Sequence, residues 1–522
     1  MSLFTKPLLK YNFLIICGGI YYLIISGLYI NYPYSPDHAV YDYIGMVVNK
    51  GGSLYLDAAD QNWPGQMFIH IASVFIFGAE LWSYRAFEII FILPLSVIIL
   101  HKFLVELKFR FASYVVIPLY VGMYVTAGGW SSGQREMIAG PLLILAISML
   151  YKRWNGYDKG VLFLQGGLVF LAILIRPTLL VMAPLLTLLD VFLNMNSKRR
   201  VARIFYDHCI VAITIVALLS ILALLGYGYG NLQTWYEVSI KYNLEVYGAG
   251  TNYDFLKQTL VTQFIKSWHW YSLWSLMGLY FLWQRNKNAA YILLLLFPVT
   301  FISYFVQGKG FGYHLMVLLA PMAIFISCAI EGSAKLYQKR SREIIVSLIL
   351  LFITTLPAIG MAKKLYSTFG DVAIDIYKKT NVDERYSKYT AGEYISIASA
   401  IKASEYLKPK TAADETILVW SRSLHINNYT QRLSPLFIAS FALLTQPKKD
   451  FTYYDNWKQR IINGMDTNTP QFIVLVKTKG GKYVAMKNDN QDENYSAVIK
   501  SYLSKYELVK TIDNLDIFKL IH

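Results

Sequence analysis

Charge is what this sequence has least of. Only 16% of its 522 residues are Asp, Glu, Lys or Arg, against about a quarter in a soluble domain, which argues against an ordinary cytosolic protein. Cysteine is nearly absent too: Cys17, Cys209 and Cys328 are the 3 in the chain, too few for a disulfide scaffold and without the paired spacing of a zinc site. All three lie in or beside apolar stretches, where a thiol behaves as a small hydrophobe. No internal repeat or low-complexity tract occurs. The formal charge of +16 raises nucleic acid as a partner, so the location of that charge has to be settled first.

What the chain does have is apolar sequence. A membrane helix needs roughly 20 apolar residues, and eleven such runs occur: 8–30, 83–100, 111–127, 137–151, 160–175, 178–193, 206–226, 267–283, 289–306, 312–330 and 344–361. The first is too long for a signal-peptide core and lacks a small-residue cleavage site, so it reads as a permanent helix. If the N-terminus is cytoplasmic, the cytoplasmic connections carry 18 Lys+Arg against 6 acids, and the opposite connections 8 against 10. This is the positive-inside asymmetry. It makes the excess charge a topology signal, leaves no case for nucleic acid, and places the C-terminus outside. Residues 64–77 are short for a span, and counting them would invert every later loop; they read as a helix lying in the outer interface, as does the segment 37–48.

From Ala362 the hydropathy falls and no further span appears. The chain therefore divides into a membrane domain, 1–361, and an extracytoplasmic tail, 362–522. Helical patterning at 392–407, 435–445, 453–463 and 493–505 is interleaved with β-rich runs at 416–420, 471–477, 507–512 and 516–521, which predicts a small α/β domain whose last two strands form a hairpin across Asp513-Asn514-Leu515. Its role is open between acceptor contact and structural capping.

Ionisable residues at membrane depth or at helix ends are costly and mark functional hypotheses, and here they gather on the outer side. Asp37 follows the first span, where partial burial suits a general base; Ser35-Pro36-Asp37 also suits a helix start. Asp57 and Asp60 read equally as site acids or as turn residues before Trp63-Pro64-Gly65. Arg135-Glu136 opens a span and reads as an interfacial ion pair. Arg176-Pro177 joins two spans, with the arginine placed to snorkel or hold a phosphate. In Gln307-Gly308-Lys309-Gly310-Phe311-Gly312-Tyr313-His314, three glycines allow close backbone approach while Lys309 and His314 offer groups for an anion. The outer loop 227–266 is rich in Tyr and Trp, as interfacial anchors or sugar-stacking rings.

Together these features resemble the GT-C superfamily of polyprenyl-phosphate-sugar glycosyltransferases, in the branch containing bacterial protein O-mannosyltransferase-like enzymes and the aminoarabinose transferase of lipid A. That branch has an acidic residue just after its first span, then amphipathic interface helices and a Y-x-D plus K-P-P type segment. Pro36-Asp37-His38-Ala39-Val40-Tyr41 and the stretch from Tyr55 to Gly65 occupy those places, Arg135-Glu136 resembles the family's Arg-Asp opening of the fourth span, and the Gln307–His314 stretch resembles one before a late span. The likeness covers the order of elements over residues 1 to 361. Two departures stand out: Asp37-His38 where many relatives have Asp-Glu, and Asn62 where many have lysine, which moves the phosphate-binding role to Arg135, Arg176 and Lys309.

The resemblance implies an all-α polytopic membrane protein of GT-C type in a bacterial inner membrane, with its tail in the periplasm. It also implies transfer of one sugar from a polyprenyl-phosphate donor to a hydroxyl on lipid A, another lipid, a polysaccharide or a protein. Asp37 would be the base; Asp57, Asp60, Glu136, His38, Tyr41 and His314 would orient sugar or acceptor. Metal dependence stays open: several outer acids could hold a divalent ion, although the branch does not generally require one. The competing readings are a lipid-linked glycan flippase and an oligosaccharyltransferase or polymer ligase; a flippase needs polar residues through the middle of several spans, whereas the charges here sit at outer helix ends.

The charge asymmetry makes a direct prediction about topology. Alkaline phosphatase fused after His522 is expected to be active in cells and phosphatase fused after Lys335 inactive; the opposite pattern overturns the orientation.

Overall fold

In the computed structural model, which describes residues 7–154, 159–194, 201–248, 253–340, 344–392, 394–478, 480–484 and 495–521, a helix stands at each of the eleven places where an apolar run predicts one. Six of the described helices are long and apolar enough to cross a membrane on length and composition, and four shorter ones of 10–17 residues are also apolar, Pro64–Phe77 among them. The chain is a multi-pass helical membrane protein with a small sheet near its C-terminus. The last long helix, Ile344–Lys378, continues past the expected boundary at residue 361. The outer segment 227–266, expected as a loop, is helical over much of its length: Leu232–Tyr236, Glu237–Lys241 and Asn243–Tyr247, then Tyr253–Val261 and Thr262–Ser267. Three of these pieces are π-helical, a geometry that the 3.6-residue period does not signal.

The described residues fall into two compact units, neither of which is one continuous stretch. The first comprises residues 1–31, 88–221 and 250–371. Small residues let its helices approach closely: a Cβ on Gly278 of the His269–Arg285 helix would collide with the Phe325 carbonyl of the Leu319–Arg340 helix, and one on Gly140 would come within 2.8 Å of the Val317 carbonyl oxygen.

Charges near the basic loops are used as clasps in this unit. The buried Asp190 carboxylate pairs with Arg153, accepts from the Trp154 indole Nε1 at 2.7 Å and lies 2.9 Å from His208 Nε2, tying together the Arg135–Trp154, Met182–Asn194 and Val201–Gly228 helices. Glu331 does the same elsewhere, accepting from the Ala112 backbone N–H at 2.9 Å and pairing with Arg285 at 3.2 Å and with Lys335. The Glu88 carboxylate, in the π-helical turn Glu88–Ile92, accepts from the hydroxyls of Tyr29 at 3.0 Å and Tyr124 at 2.7 Å.

The second unit joins the tail to two earlier segments, 32–87 and 222–249. A short ladder pairs β1, Thr390–Gly392, with β2, Ile395–Ser396. The main sheet has the order β3-β4-β6-β5, from Ile417–Trp420 (β3), Phe472–Val476 (β4), Tyr506–Ile512 (β5) and Leu515–Leu520 (β6). β3 and β4 run parallel in register Ile417 to Phe472, and the other pairs are antiparallel. The expected strands and the closing hairpin are all present, Asp513 taking a left-handed φ of 49° at the turn.

Side-chain alternation along β3 and β4 builds two cores. Ile417, Val419, Phe472 and Val474 pack with the Ile397–Leu407 helix on one face, while Leu418, Trp420, Ile473 and Leu475 share a cluster with Trp457 and with Tyr41, Tyr43, Ile44 and Val47 of the Pro36–Asn49 helix. Hydrogen bonds to backbone carbonyls knit the same seam: Ala59 N–H donates to the Phe437 carbonyl at 2.6 Å, and the Asn428 side-chain Nδ2 to the Ala39 carbonyl at 2.9 Å. The tail's core is thus completed by the first outer segment.

Asp190 offers a test of the clasp. Removing it leaves Arg153 buried without its counter-ion, a change that costs about 3–5 kcal/mol at buried pairs, so Asp190→Ala is expected to lower the thermal midpoint of the purified protein by several degrees, read by intrinsic fluorescence. An unchanged midpoint would show that the clasp contributes nothing.

Candidate functional site

Four of the residues singled out in the sequence come together in the first unit. Arg135 and Glu136 form the first turn of the Arg135–Trp154 helix, where the acid complements the helix dipole. Arg176 ends the Gly160–Ile175 helix in extended backbone, φ −149° and ψ 103°, because Pro177 follows and starts a 3-10 turn. Glu136 is fully buried and Arg176 nearly so. Their side chains pair, and Arg135 Nε lies 3.5 Å from the same Glu136 oxygen. Arg176 also donates to Gln307 Oε1, while Gln307 Nε2 donates to Thr178 Oγ1 at 3.0 Å. His314, on the 3-10 segment Gly312–Leu318, is buried close enough to feel both guanidinium charges. Its Nδ1 has no hydrogen-bond partner among the described residues, and its ring meets Tyr313 edge-on at 4.6 Å.

Lys309 sits two residues beyond Gln307, between Gly308 and Gly310, which take left-handed φ values of 64° and 68°. It is half-buried, and desolvation pulls its ammonium pKa below the usual 10.5. The Arg135 and Arg176 guanidinium groups share the Glu136 carboxylate, and Lys309 stands in the loop that follows Gln307. Arginine suits phosphate because its planar fork donates two parallel hydrogen bonds. Glu136, expected to orient a sugar or an acceptor, is engaged with the arginines.

The other expected residues belong to the second unit. Asp37 lies half-buried in the first turn of the Pro36–Asn49 helix, behind Pro36 at the first helical position. His38 is fully buried, its Nδ1 2.7 Å from Ser35 Oγ. Asp60 Oδ1 accepts from both nitrogens of Asn62, backbone at 2.8 Å and side chain at 2.6 Å, and Asn62 Nδ2 also donates to the Tyr41 hydroxyl at 2.9 Å. Asp57 Oδ2 accepts the Ser53 backbone N–H at 2.7 Å. Asp57 and Asp60 are thus both turn-formers, and Tyr41 is tied to that turn through Asn62. Asn62, set aside in the sequence for not being lysine, is the hub of the segment.

The Asp42–His70 pair is absent from the sequence reading. Asp42 Oδ1 and His70 Nδ1 lie 2.7 Å apart with both residues fully buried. Gln66 Nε2 lies 3.0 Å from His70 Nε2, which leaves the Nδ1 proton for Asp42, and the ring stacks on Tyr84 at 3.9 Å. The polar side chains of the Pro36–Asn49 helix suggest a solvated face; instead His38 and Asp42 point into protein. Twenty-eight residues separate the pair, and no motif links them. Among the described residues, no three His, Cys, Asp or Glu gather to hold a metal ion.

No protein-family model matches the sequence, and no curated protein matches it either. Solved structures do. ArnT from Cupriavidus metallidurans in the apo state matches with a TM-score of 0.61 at 10% identity, over 98% of this chain and 98% of that one. The same protein bound to undecaprenyl phosphate matches with a TM-score of 0.59, again at 10% identity and 98% coverage of both chains. This chain shares the fold of those two structures.

The buried pair fixes how stability responds to pH. Burial raises the Asp42 pKa from 3.8 to about 8 and lowers that of His70 below 6.5. The raised acid contributes stability that is lost as pH climbs toward 8; the depressed histidine contributes stability that is lost as pH falls below 6.5. Between about 4 and 6.5 the two slopes oppose, so the net effect of the pair is a loss of stability from about pH 6.5 to 8. Asp42→Asn is expected to flatten that fall in thermal melts across the interval, and an unaltered slope would show that Asp42 does not titrate there.

Proposed function

We propose that this chain is a membrane glycosyltransferase that moves a single sugar from a polyprenyl-phosphate donor to an acceptor hydroxyl, on the outer face of a bacterial inner membrane. The observation that carries the reading is the gathering of Arg135, Arg176, Glu136, Gln307 and His314 inside the helical first unit. In a site with little water, Arg135, Arg176 and Lys309 suit a phosphate that gains charge as it departs. The shared fold, and the undecaprenyl phosphate held by the matched ArnT structure, support a lipid-linked donor.

Asp37 is the general base in this reading. It takes the proton of the acceptor hydroxyl, the acceptor oxygen bonds to the anomeric carbon, and the bond from that carbon to the phosphate oxygen breaks with its electron pair leaving on the phosphate. A single displacement of this kind inverts the anomeric centre. The basic cluster then holds the released polyprenyl phosphate. His314, wedged beside the arginines, adds a hydrogen-bonding edge, while the turn around Asn62 holds Tyr41, Asp57 and Asp60 for orientation of sugar or acceptor. The tail domain, 362–522, is periplasmic in this reading and completes the core under the Asp37 helix.

Envelope glycans and lipids from cells carrying the wild-type gene, no gene, or Asp37→Asn are to be compared by mass spectrometry, with undecaprenyl-phosphate binding read on the purified proteins by native mass spectrometry. Loss of a general base lowers the rate by about 10²–10⁴, so the expected result is loss of one defined sugar in the Asp37→Asn strain with carrier binding retained. Full transfer by that variant removes Asp37 from the mechanism, and an envelope unchanged without the gene removes the transferase reading.

A further inference from the structure

The Pro36–Asn49 and Pro64–Phe77 helices, both expected to lie in the membrane interface, meet through polar side chains. On the first, His38, Asp42, Gly45 and Asn49 follow one another at steps of four, three and four residues, which is one stripe of an α-helix. On the second, Gln66, His70 and Ser73 form a stripe of the same kind. His38, Asp42, Gln66, His70 and Ser73 are all fully buried. Asp42 Oδ1 and His70 Nδ1 lie 2.7 Å apart within this seam, and further along it Asn49 Nδ2 donates to the Ile71 carbonyl at 3.1 Å. Between them a Cβ on Gly45 would stand 3.0 Å from the His70 carbonyl oxygen, so the backbones approach closely because a glycine is there.

Apolar contacts elsewhere on the first helix, through Val40, Tyr43, Ile44 and Val47, tolerate small slips because such surfaces are interchangeable. A hydrogen bond between two groups shut away from water does not, since losing it leaves both unsatisfied. The Asp42–His70 contact therefore selects which side of the helix turns inward. Gln66 Nε2, 3.0 Å from His70 Nε2, and the Tyr84 ring stacked at 3.9 Å hold the histidine itself. Asp37 stands one residue before His38, about 100° round the helix from the seam, and this rotation leaves it half-buried instead of enclosed. Helical side chains reach about 5–6 Å from the axis, so turning the helix by about 10° moves the Asp37 carboxylate by about 1 Å. A misplacement of that size can cost about a hundredfold in rate.

We propose that Asp42 and His70 are positioning residues for transfer: enclosed as they are, neither touches substrate, and their pairing sets the rotation of the helix that presents Asp37 to the acceptor hydroxyl. This assignment rests on the glycosyltransferase reading, with Asp37 as its base.

Initial rates of sugar transfer are to be read by mass spectrometry in membrane vesicles, which hold the native donor and acceptor, alongside the thermal midpoint and undecaprenyl-phosphate binding of each purified protein. Asp42→Leu/His70→Phe replaces both partners with apolar groups of similar shape, a change that is nearly neutral for stability when both go together. It is expected to keep the midpoint and carrier binding while slowing transfer about hundredfold. Asp42→Asn keeps an oxygen that accepts from His70 Nδ1 and is expected to transfer at close to the wild-type rate. Because the pair acts through Asp37, the double replacement is expected to slow an Asp37→Asn protein no further, whereas a general loosening of structure slows both backgrounds alike. Wild-type rates in Asp42→Leu/His70→Phe, a comparable loss in Asp42→Asn, or an equal further loss in the Asp37→Asn background overturns the positioning role and leaves the transferase reading in place. So does a midpoint that falls together with transfer, which makes the pair a support of the fold only. An envelope that loses no sugar when the gene is absent removes the transferase reading itself, and the role of the pair with it.

Discussion

A charge taken out of water has to be answered by another charge or by a full set of hydrogen bonds, and this fold is arranged around that requirement. Asp190 gathers Arg153, Trp154 and His208 from three helices, Glu331 draws in Arg285, Lys335 and a backbone N–H, and Glu88 takes two tyrosine hydroxyls. In each case a carboxylate at or inside the helical bundle fixes how its helices meet. The surrounding apolar contacts, which are individually interchangeable, do not specify that arrangement alone.

Around Glu136 two cations share one carboxylate. Arg135 and Arg176 both turn to one carboxylate, Gln307 occupies a further guanidinium N–H, and Lys309 stands in the adjoining glycine-flanked loop. Glu331 is likewise shared by two cations, Arg285 and Lys335, so the cluster at Glu136 differs in its buried His314 and in the glycine-flanked loop beside it rather than in charge balance.

The membrane helices were legible because hydropathy is a local property: each run of apolar residues carries its own signal, and a helix stands at every expected place. The tail's strands were legible for the same reason, as short runs rich in β-branched and aromatic residues along Ile417–Trp420 and Phe472–Val476. The helices within 227–266 were not, because their aromatic side chains have no clean period and part of the segment winds as π-helix. Of the candidate residues, Arg135, Glu136, Arg176 and His314 were visible as polar groups at helix ends in an apolar sequence, and the structure brings them together. Asp42 and His70 were not visible as a pair, since each alone reads as an ordinary residue on an amphipathic helix.

The amino-acid sequence by itself determined where the helices run, the strands of the tail, and which few polar residues the membrane domain carries, because each of these follows from short-range periodicity and the cost of burying charge. Only the tertiary structure decided which of those residues meet. It placed Asn428 against Ala39 and Trp420 in one cluster with Tyr41, nearly four hundred residues away, and so made the first outer segment and the tail one unit. It also turned Asp42 inward onto His70. Pairings of this kind depend on complementary shape and on mutual desolvation across long separations, which no window along a single chain contains.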